Sequence, residues 1–189
     1  MKIPSLKLIK TIELAARLHH GQFRKSEDNT PYVTHLYGAA MYMASITDDE
    51  DMIMAALMHD ALEDVADYTY TDLVRDCDTR VADIVRGVTE DKTLPYLERK
   101  NLYIENIKTG MIESVLVSVA DKIHNALSLI DLNNLIHKNY GQEFKNNQII
   151  IYKKVLEIGE DRLKNKKGEE HKLVTELRRV VDILEGEVV

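Results

Sequence analysis

The sequence predicts an all-α protein folded as one helical bundle, and three observations carry that reading. Only three prolines and eight glycines interrupt its 189 residues. Apolar residues recur at three- and four-residue spacing along most of the chain, the period of a helix with one buried face. Short polar stretches with capping or turn-forming residues separate these segments. The length suits a single domain spanning residues 1–189. With 44% hydrophobic and 30% charged residues, the chain can bury a substantial core.

The first helix is expected from about Ser5 to His20, where Leu8, Ile9, Ile12, Ala15, Ala16 and Leu18 follow helical spacing, with Gly21 closing it. A polar loop runs from Gln22 to Tyr32. Thr34 is the expected cap of a second helix that places His35 in its first turn. Thr47 is the expected cap of a central helix, with Asp48, Asp49, Glu50 and Asp51 at its positive end. Two short helices follow, starting at Thr71 and Thr79. A loop over Thr89–Pro95 then leads into a helix from about Tyr96 to Lys108. Ile112 to Leu132 contains the β-branched run Val115-Leu116-Val117-Ser118-Val119, which a strand could also accommodate. The apolar pattern continues unbroken through Leu129, favouring a buried helix. A loop is expected from Asp131 to Gln142, an amphipathic helix from Ile149 to Leu163, a break at Lys164–Gly168, and a closing helix from Glu169 to Leu184.

Composition narrows the function. With 25 basic and 32 acidic residues the net charge is -7, which argues against a nucleic-acid polymer as partner. An anionic small molecule would need a local basic cluster. Cys77 is the lone cysteine, so no disulfide framework forms within the chain, as in a reducing cytoplasm. The first residues lack an apolar signal core, and no apolar run nears the roughly 18 residues of a membrane helix. The expectation is a cytoplasmic protein without membrane association; self-association into a homo-oligomer is left open.

The chemistry concentrates in Ala55-Ala56-Leu57-Met58-His59-Asp60-Ala61-Leu62-Glu63-Asp64. On one continuous helix, His59 and Glu63 share a face, and Asp60 and Asp64 share another about 100° away. Buried unpaired carboxylates are costly and repel one another, and a bound cation removes both objections. Taken alone, His59-Asp60 also fits a helix emerging into solvent. Taken alone, Asp121 reads as a buried acid paired with Arg or Lys, and His35 as an ordinary residue of a helix start. Together His35, His59, Asp60 and Asp121 supply two imidazoles and two carboxylates. That set fits a divalent transition metal with positions left for water or substrate.

These residues resemble the metal-binding pattern of the HD phosphohydrolase superfamily. Gly21-Gln22-Phe23-Arg24-Lys25, Thr30-Pro31-Tyr32-Val33-Thr34-His35, the stretch Ala55–Asp64, and Val119-Ala120-Asp121-Lys122-Ile123-His124-Asn125 are similar to the hydrolase domain of RelA/SpoT proteins. Glu90–Pro95 and Leu97-Glu98-Arg99-Lys100 resemble its stand-alone metazoan form. The resemblance covers about residues 8 to 160. It implies an HD-domain helical bundle, Mn²⁺ or another divalent ion held by His35, His59, Asp60 and Asp121, and hydrolysis of (p)ppGpp at the 3′ position to GDP or GTP and pyrophosphate. It implies Glu63 and Asp64 as the catalytic acidic pair, and Arg24, Lys25 and Asn125 as nucleotide contacts. Lys25, Lys92 and Lys122 would supply local positive charge, and Lys92, Arg99 and Lys100 are the candidate cations for the 5′ diphosphate. The chain has no room for the synthetase domain of the bifunctional relatives.

Some positions depart from the pattern. Tyr96 stands where a lysine is expected, His124 where some relatives have tyrosine, and residues 133–151 align poorly, with no clear pocket aromatic. The alternatives are an HD hydrolase of another nucleotide (a dNTP, a nucleoside phosphate or NADPH) and an alarmone-binding module without turnover. The intact Glu63-Asp64 pair argues against the module.

Overall fold

A computed structural model describes residues 3–25, 29–135, 142–164 and 168–186, and the side chains of 131–135 and 142 are not described. Among the described residues there are ten α-helices and no strand beyond an isolated antiparallel bridge between Phe23 and Pro31. In chain order they are α1 (Leu6–Leu18), α2 (Val33–Ala44), α3 (Glu50–Met58), α4 (Ala61–Asp64), α5 (Tyr70–Asp76), α6 (Thr79–Arg86), α7 (Tyr96–Thr109), α8 (Ile112–Leu135), α9 (Gln142–Arg162) and α10 (Lys172–Glu185).

Helix α8 is the axis of the bundle. It packs against α2, α3, α6, α7, α9 and α10. Residues Ser114 through Ile123 are all buried, and the polar ones among them, Ser114, Ser118, Asp121 and Lys122, face inward with the rest. Being surrounded by other helices resolves the strand-like composition of Val115–Val119: its apolar residues pack on several sides, and the hydroxyl of Ser118 is satisfied by Tyr103 at 2.6 Å. Helix α10 shows the contrasting case. Its buried side chains Leu173, Val174, Leu177, Val180, Val181 and Leu184 form one stripe against α8 and α9. Each such burial stabilises by about 1.5–3 kcal/mol relative to exposure.

The caps differ from several sequence expectations. Ser5 caps α1 by accepting from Leu8 N at 3.2 Å. Helix α2 begins at Val33 without a side-chain cap: Tyr32 holds the cap position, and Thr34 lies inside the first turn with its hydroxyl donating to Pro31 O at 2.7 Å. Asp49, not Thr47, caps α3, accepting from Asp51 N at 3.1 Å. Thr47 instead accepts from Asp49 N at 3.0 Å, one step before the helix. Thr69 caps α5 in a reciprocal capping box with Asp72, two residues ahead of the expected start. Helix α1 ends at a His19 cap, and Gly21 follows at φ 78, a left-handed turn that suits glycine.

Two element boundaries also move. Helix α8 continues to Leu135, where a loop was expected from Asp131, and α9 starts at Gln142, seven residues before Ile149. Residues 136–141 of that expected loop lie outside the described residues. The central helix is not continuous: α3 stops at Met58, His59 is its cap, and Asp60 opens the short α4. Asp60 sits at φ -96, ψ -3, which interrupts the regular helix before Ala61. The offsets of four that hold on one straight helix therefore do not define the faces here.

Candidate metal and substrate site

Three parts of the bundle converge on one point. Helix α2 brings His35 in its first turn. The α3–α4 junction brings His59 and Asp60. Helix α8 brings Asp121 from its buried middle. Donor atoms of His35, His59 and Asp121 lie within 4.8 Å of one another. His35 Nε2 is 3.2 Å from His59 Nε2 and 3.2 Å from Asp121 Oδ1. Asp60 Oδ2 joins them, 3.2 Å from His59 Nε2 and 3.6 Å from His35 Nε2. Ligand atoms about 2.0–2.2 Å from one metal ion stand about 3.0–3.5 Å from their neighbours around it.

The donor chemistry fits a cation. His59 Nδ1 is 2.8 Å from Ala56 O, which can only accept, so Nδ1 carries a proton and Nε2 is the nitrogen that faces the cluster. Two carboxylate oxygens and that nitrogen gather around His35 Nε2, an arrangement that a shared proton or a metal ion reconciles. Burial opposes ionisation of Asp121, but Lys122 and the two imidazoles outweigh it and hold the carboxyl well below the usual range. Asp60 is likewise held down against its burial, chiefly by His59. Burial pushes His35 below its ordinary value. His59 goes well above its own despite burial, because Asp60 and Asp121 face it. The carboxylates therefore stay ionised, as metal ligation requires.

Each donor is oriented from behind. The Tyr32 hydroxyl donates to Asp60 Oδ2 at 2.6 Å. Asn125 donates to Asp121 Oδ1, and Lys122 Nζ pairs with Asp121 Oδ2. His124 Nδ1 lies 3.0 Å from His35 Nδ1.

The acidic pair stands beside this cluster on α4. Glu63 Oε2 accepts from Glu90 N at 3.1 Å, and burial with the nearby charge of Asp60 pushes the Glu63 carboxyl up. Lys92 is 3.4 Å from Glu63 Oε1 and also pairs with Asp64. Gln22 Nε2 donates to Asp64 O at 2.9 Å, tying α4 to the loop after α1.

The cluster opens into a cavity of about 1210 Å³ that Arg24, Lys25, Glu63, Asp64, Lys122 and Asn125 also line. Arg24 reaches Asn125 Oδ1 at 2.9 Å and Ser128 Oγ at 3.2 Å. The loop carrying it is pinned by Arg24 N donating to Thr30 O at 2.8 Å and Tyr32 N to Gln22 O at 2.9 Å. Two expected substrate cations stand elsewhere in role. Lys122 lines the cavity but is buried against Asp121, with its ammonium 4.9 Å from the Tyr103 ring centre. Lys92 is not among the cavity-lining residues; it lies in a smaller cleft on the far side of Glu63. Buried Asp121 is the partner of Lys122, and the more exposed Lys92 pairs with Asp64, so each lysine has an acid of the site beside it.

Sequence reasoning missed two of the lining aromatics, Phe144 and Tyr152. Phe144 supplies an aromatic from the poorly aligned segment, and the Lys25 ammonium sits 5.6 Å from its ring centre. Tyr96 and Tyr152 add two more rings. Arg99 and Lys100 both pair with the buried Glu90, the first at 2.8 Å. Helical spacing from Tyr96 gives Arg99 and Lys100 one face of α7, a signal legible in the sequence; Phe144 offered none.

The HD domain family matches residues 11–147. The chain belongs to this family. It is 36% identical over 157 residues to the Drosophila melanogaster guanosine-3′,5′-bis(diphosphate) 3′-pyrophosphohydrolase MESH1, spanning 82% of this chain and 85% of that one. The human protein of the same name is 40% identical over 129 residues, covering 67% and 69%. Among solved structures, one titled as a metazoan ortholog of SpoT that hydrolyzes ppGpp superposes with a TM-score of 0.82 at 32% identity, covering 100% of both chains. A Listeria monocytogenes protein superposes at 0.66 with 28% identity, over 82% of this chain and 96% of that one. The all-α HD architecture thus holds among the described residues.

Proposed function

We propose that this HD-domain protein is a metal-dependent (p)ppGpp 3′-pyrophosphohydrolase, releasing GDP or GTP and pyrophosphate. One observation supports the reading above the rest. The two-imidazole, two-carboxylate cluster stands beside Glu63 and Asp64 at a large cavity, in a chain 36% identical to a protein named for this activity. His35, His59, Asp60 and Asp121 would hold one divalent ion. Mn²⁺ suits the mixed set, although Zn²⁺ or Ni²⁺ binds such ligands more tightly in general. When bound, the ion supplies Lewis-acid polarisation of a phosphoryl oxygen and acidifies water.

The chain's own residues do the remaining work. Glu63 takes a proton from the attacking water, and Asp64 helps orient that water. The water oxygen joins phosphorus, the bond from phosphorus to the ribose 3′ oxygen breaks, and a proton completes the 3′ hydroxyl. Arg24 presents a planar donor fork, and with Lys25, Asn125 and the ring of Phe144 it forms the face against which a guanosine nucleotide lies. The free, buried Cys77 fits the reducing cytoplasm. Among the described residues, no helix is long and apolar enough to cross a membrane.

The test is turnover by the purified protein with Mn²⁺, comparing ppGpp, dNTPs, simple nucleoside phosphates and NADPH. GDP and pyrophosphate from ppGpp are the expected products. No ppGpp turnover alongside brisk hydrolysis of a nucleoside phosphate would overturn the alarmone assignment. Tight ppGpp binding without turnover of any nucleotide would replace the enzyme with a binding module.

A further inference from the structure

The two imidazoles of the cluster are oriented by different means, because they sit at opposite ends of helices. His59 lies at the C-terminal end of α3, where backbone carbonyls lack helical partners, and its Nδ1 donates to Ala56 O at 2.8 Å. His35 lies in the first turn of α2, where the corresponding carbonyl is already used: Tyr32 O accepts from His35 N at 2.9 Å. An acceptor for His35 Nδ1 must come from another element. Among the described residues it is His124 of α8, whose Nδ1 lies 3.0 Å away, with the ring centres 4.9 Å apart.

The room for that imidazole is made by the absence of a side chain. A Cβ on Gly38 would stand 1.9 Å from His124 Cδ2 and 2.4 Å from its Nε2, far inside contact distance. Gly38 is one turn after His35 on α2, and His124 is one turn after Asp121 on α8. Each helix thus carries a ligand and, one turn later, half of a pair that meets behind His35.

We propose that Gly38 and His124 form a positioning pair for the metal site. His124 Nδ1 accepts a hydrogen bond from His35 Nδ1–H, fixing the tautomer and ring angle that aim His35 Nε2 at the ion, and Gly38 provides the space that the His124 ring occupies to do so. Neither residue touches the ion or the reacting atoms. The inference rests on the ligand assignment made under the proposed function, but not on the identity of the substrate.

The experiment reads Mn²⁺ affinity directly, from the signal of free Mn²⁺ during titration of metal-stripped protein. His124→Phe keeps the ring and removes the acceptor, and it should weaken Mn²⁺ binding by about 10–100-fold. His124→Asn places an amide oxygen where Nδ1 stands and should recover most of that loss, which a packing role would not produce. Gly38→Ala should weaken binding similarly in the parent, yet have little effect in a His124→Ala background, where the added methyl meets no ring. Melting of the metal-stripped variants separates loss of the site from loss of the fold. Mn²⁺ affinity of His124→Phe within about twofold of the parent, or equal Gly38→Ala effects in both backgrounds, would overturn the pairing. His59→Ala serves as the control. If it abolishes Mn²⁺ binding while His124→Phe does not, only the positioning pair fails. If His59→Ala leaves Mn²⁺ binding intact, the ligand assignment fails and the pair falls with it.

Discussion

Glu63→Gln separates catalysis from metal binding most cleanly, because the environment of Glu63 accepts the isostere. The Glu63 carboxylate receives the Glu90 amide at 3.1 Å, and a glutamine carbonyl oxygen can receive the same bond. Lys92, 3.4 Å from the other oxygen, loses one partner but keeps Asp64. No ligand atom of the cluster belongs to Glu63. The substitution therefore removes a proton acceptor and little else. A positioned general base contributes about 10²–10⁴-fold, so kcat should fall by that factor, equivalent to about 2.7–5.5 kcal/mol in the barrier. Metal stoichiometry by elemental analysis and nucleotide affinity by calorimetry should stay within a few fold. Single-turnover rates with Mn²⁺ and ppGpp give the barrier without interference from product release. Loss of metal in parallel with activity would make Glu63 a ligand. A kcat within about threefold of the parent would remove it from the chemistry altogether.

Three other outcomes follow from the geometry. Arg24→Ala removes a guanidinium that Asn125 and Ser128 hold at the cavity wall, and should raise KM about tenfold with a smaller drop in kcat, because uniform binding is lost; steady-state kinetics with a larger kcat effect would place Arg24 at the reacting centre. Lys122→Met leaves buried Asp121 without its cation and should cost about 3–5 kcal/mol in urea unfolding of the metal-free protein, with part restored by saturating Mn²⁺; an unchanged midpoint would make the ion pair incidental. Arg80→Met breaks the pairs at 2.8 Å with Asp49 and 3.0 Å with Asp51. Hydrogen bonding from Arg80 holds Asp49 below 3.8, so the stabilisation is complete above that pH and is lost as pH falls through the lower folded-state value. Because these side chains are partly exposed, the gap should be at most about 1 kcal/mol at pH 6 in low salt. It should close in melts well below pH 3.8, and a gap independent of pH would show that Arg80 acts through packing.

The sequence by itself determined the helical architecture and the chemistry of the centre. Helical periodicity survives in local spacing, so α1, α6, α7 and the buried run of α8 were legible to within a few residues. His59-Asp60, Glu63-Asp64 and Asp121 announced themselves because ionisable groups directly after apolar runs are costly unless something compensates them. The tertiary structure decided what local spacing cannot encode. The break at Asp60 is set by the need to turn its carboxylate toward His35 on another helix, where Tyr32 also holds it. The expected cation Lys122 is paired with Asp121 because charge in a low-dielectric interior pairs with its nearest opposite, while the more exposed Lys92 pairs with Asp64 at the surface. Phe144 reached the cavity wall from a segment whose pattern gave no hint of it. Gly38, an unremarked small residue in a helix, acquired its meaning only when α8 laid an imidazole against it. Contacts between helices depend on crossing geometry that the period of either sequence leaves free.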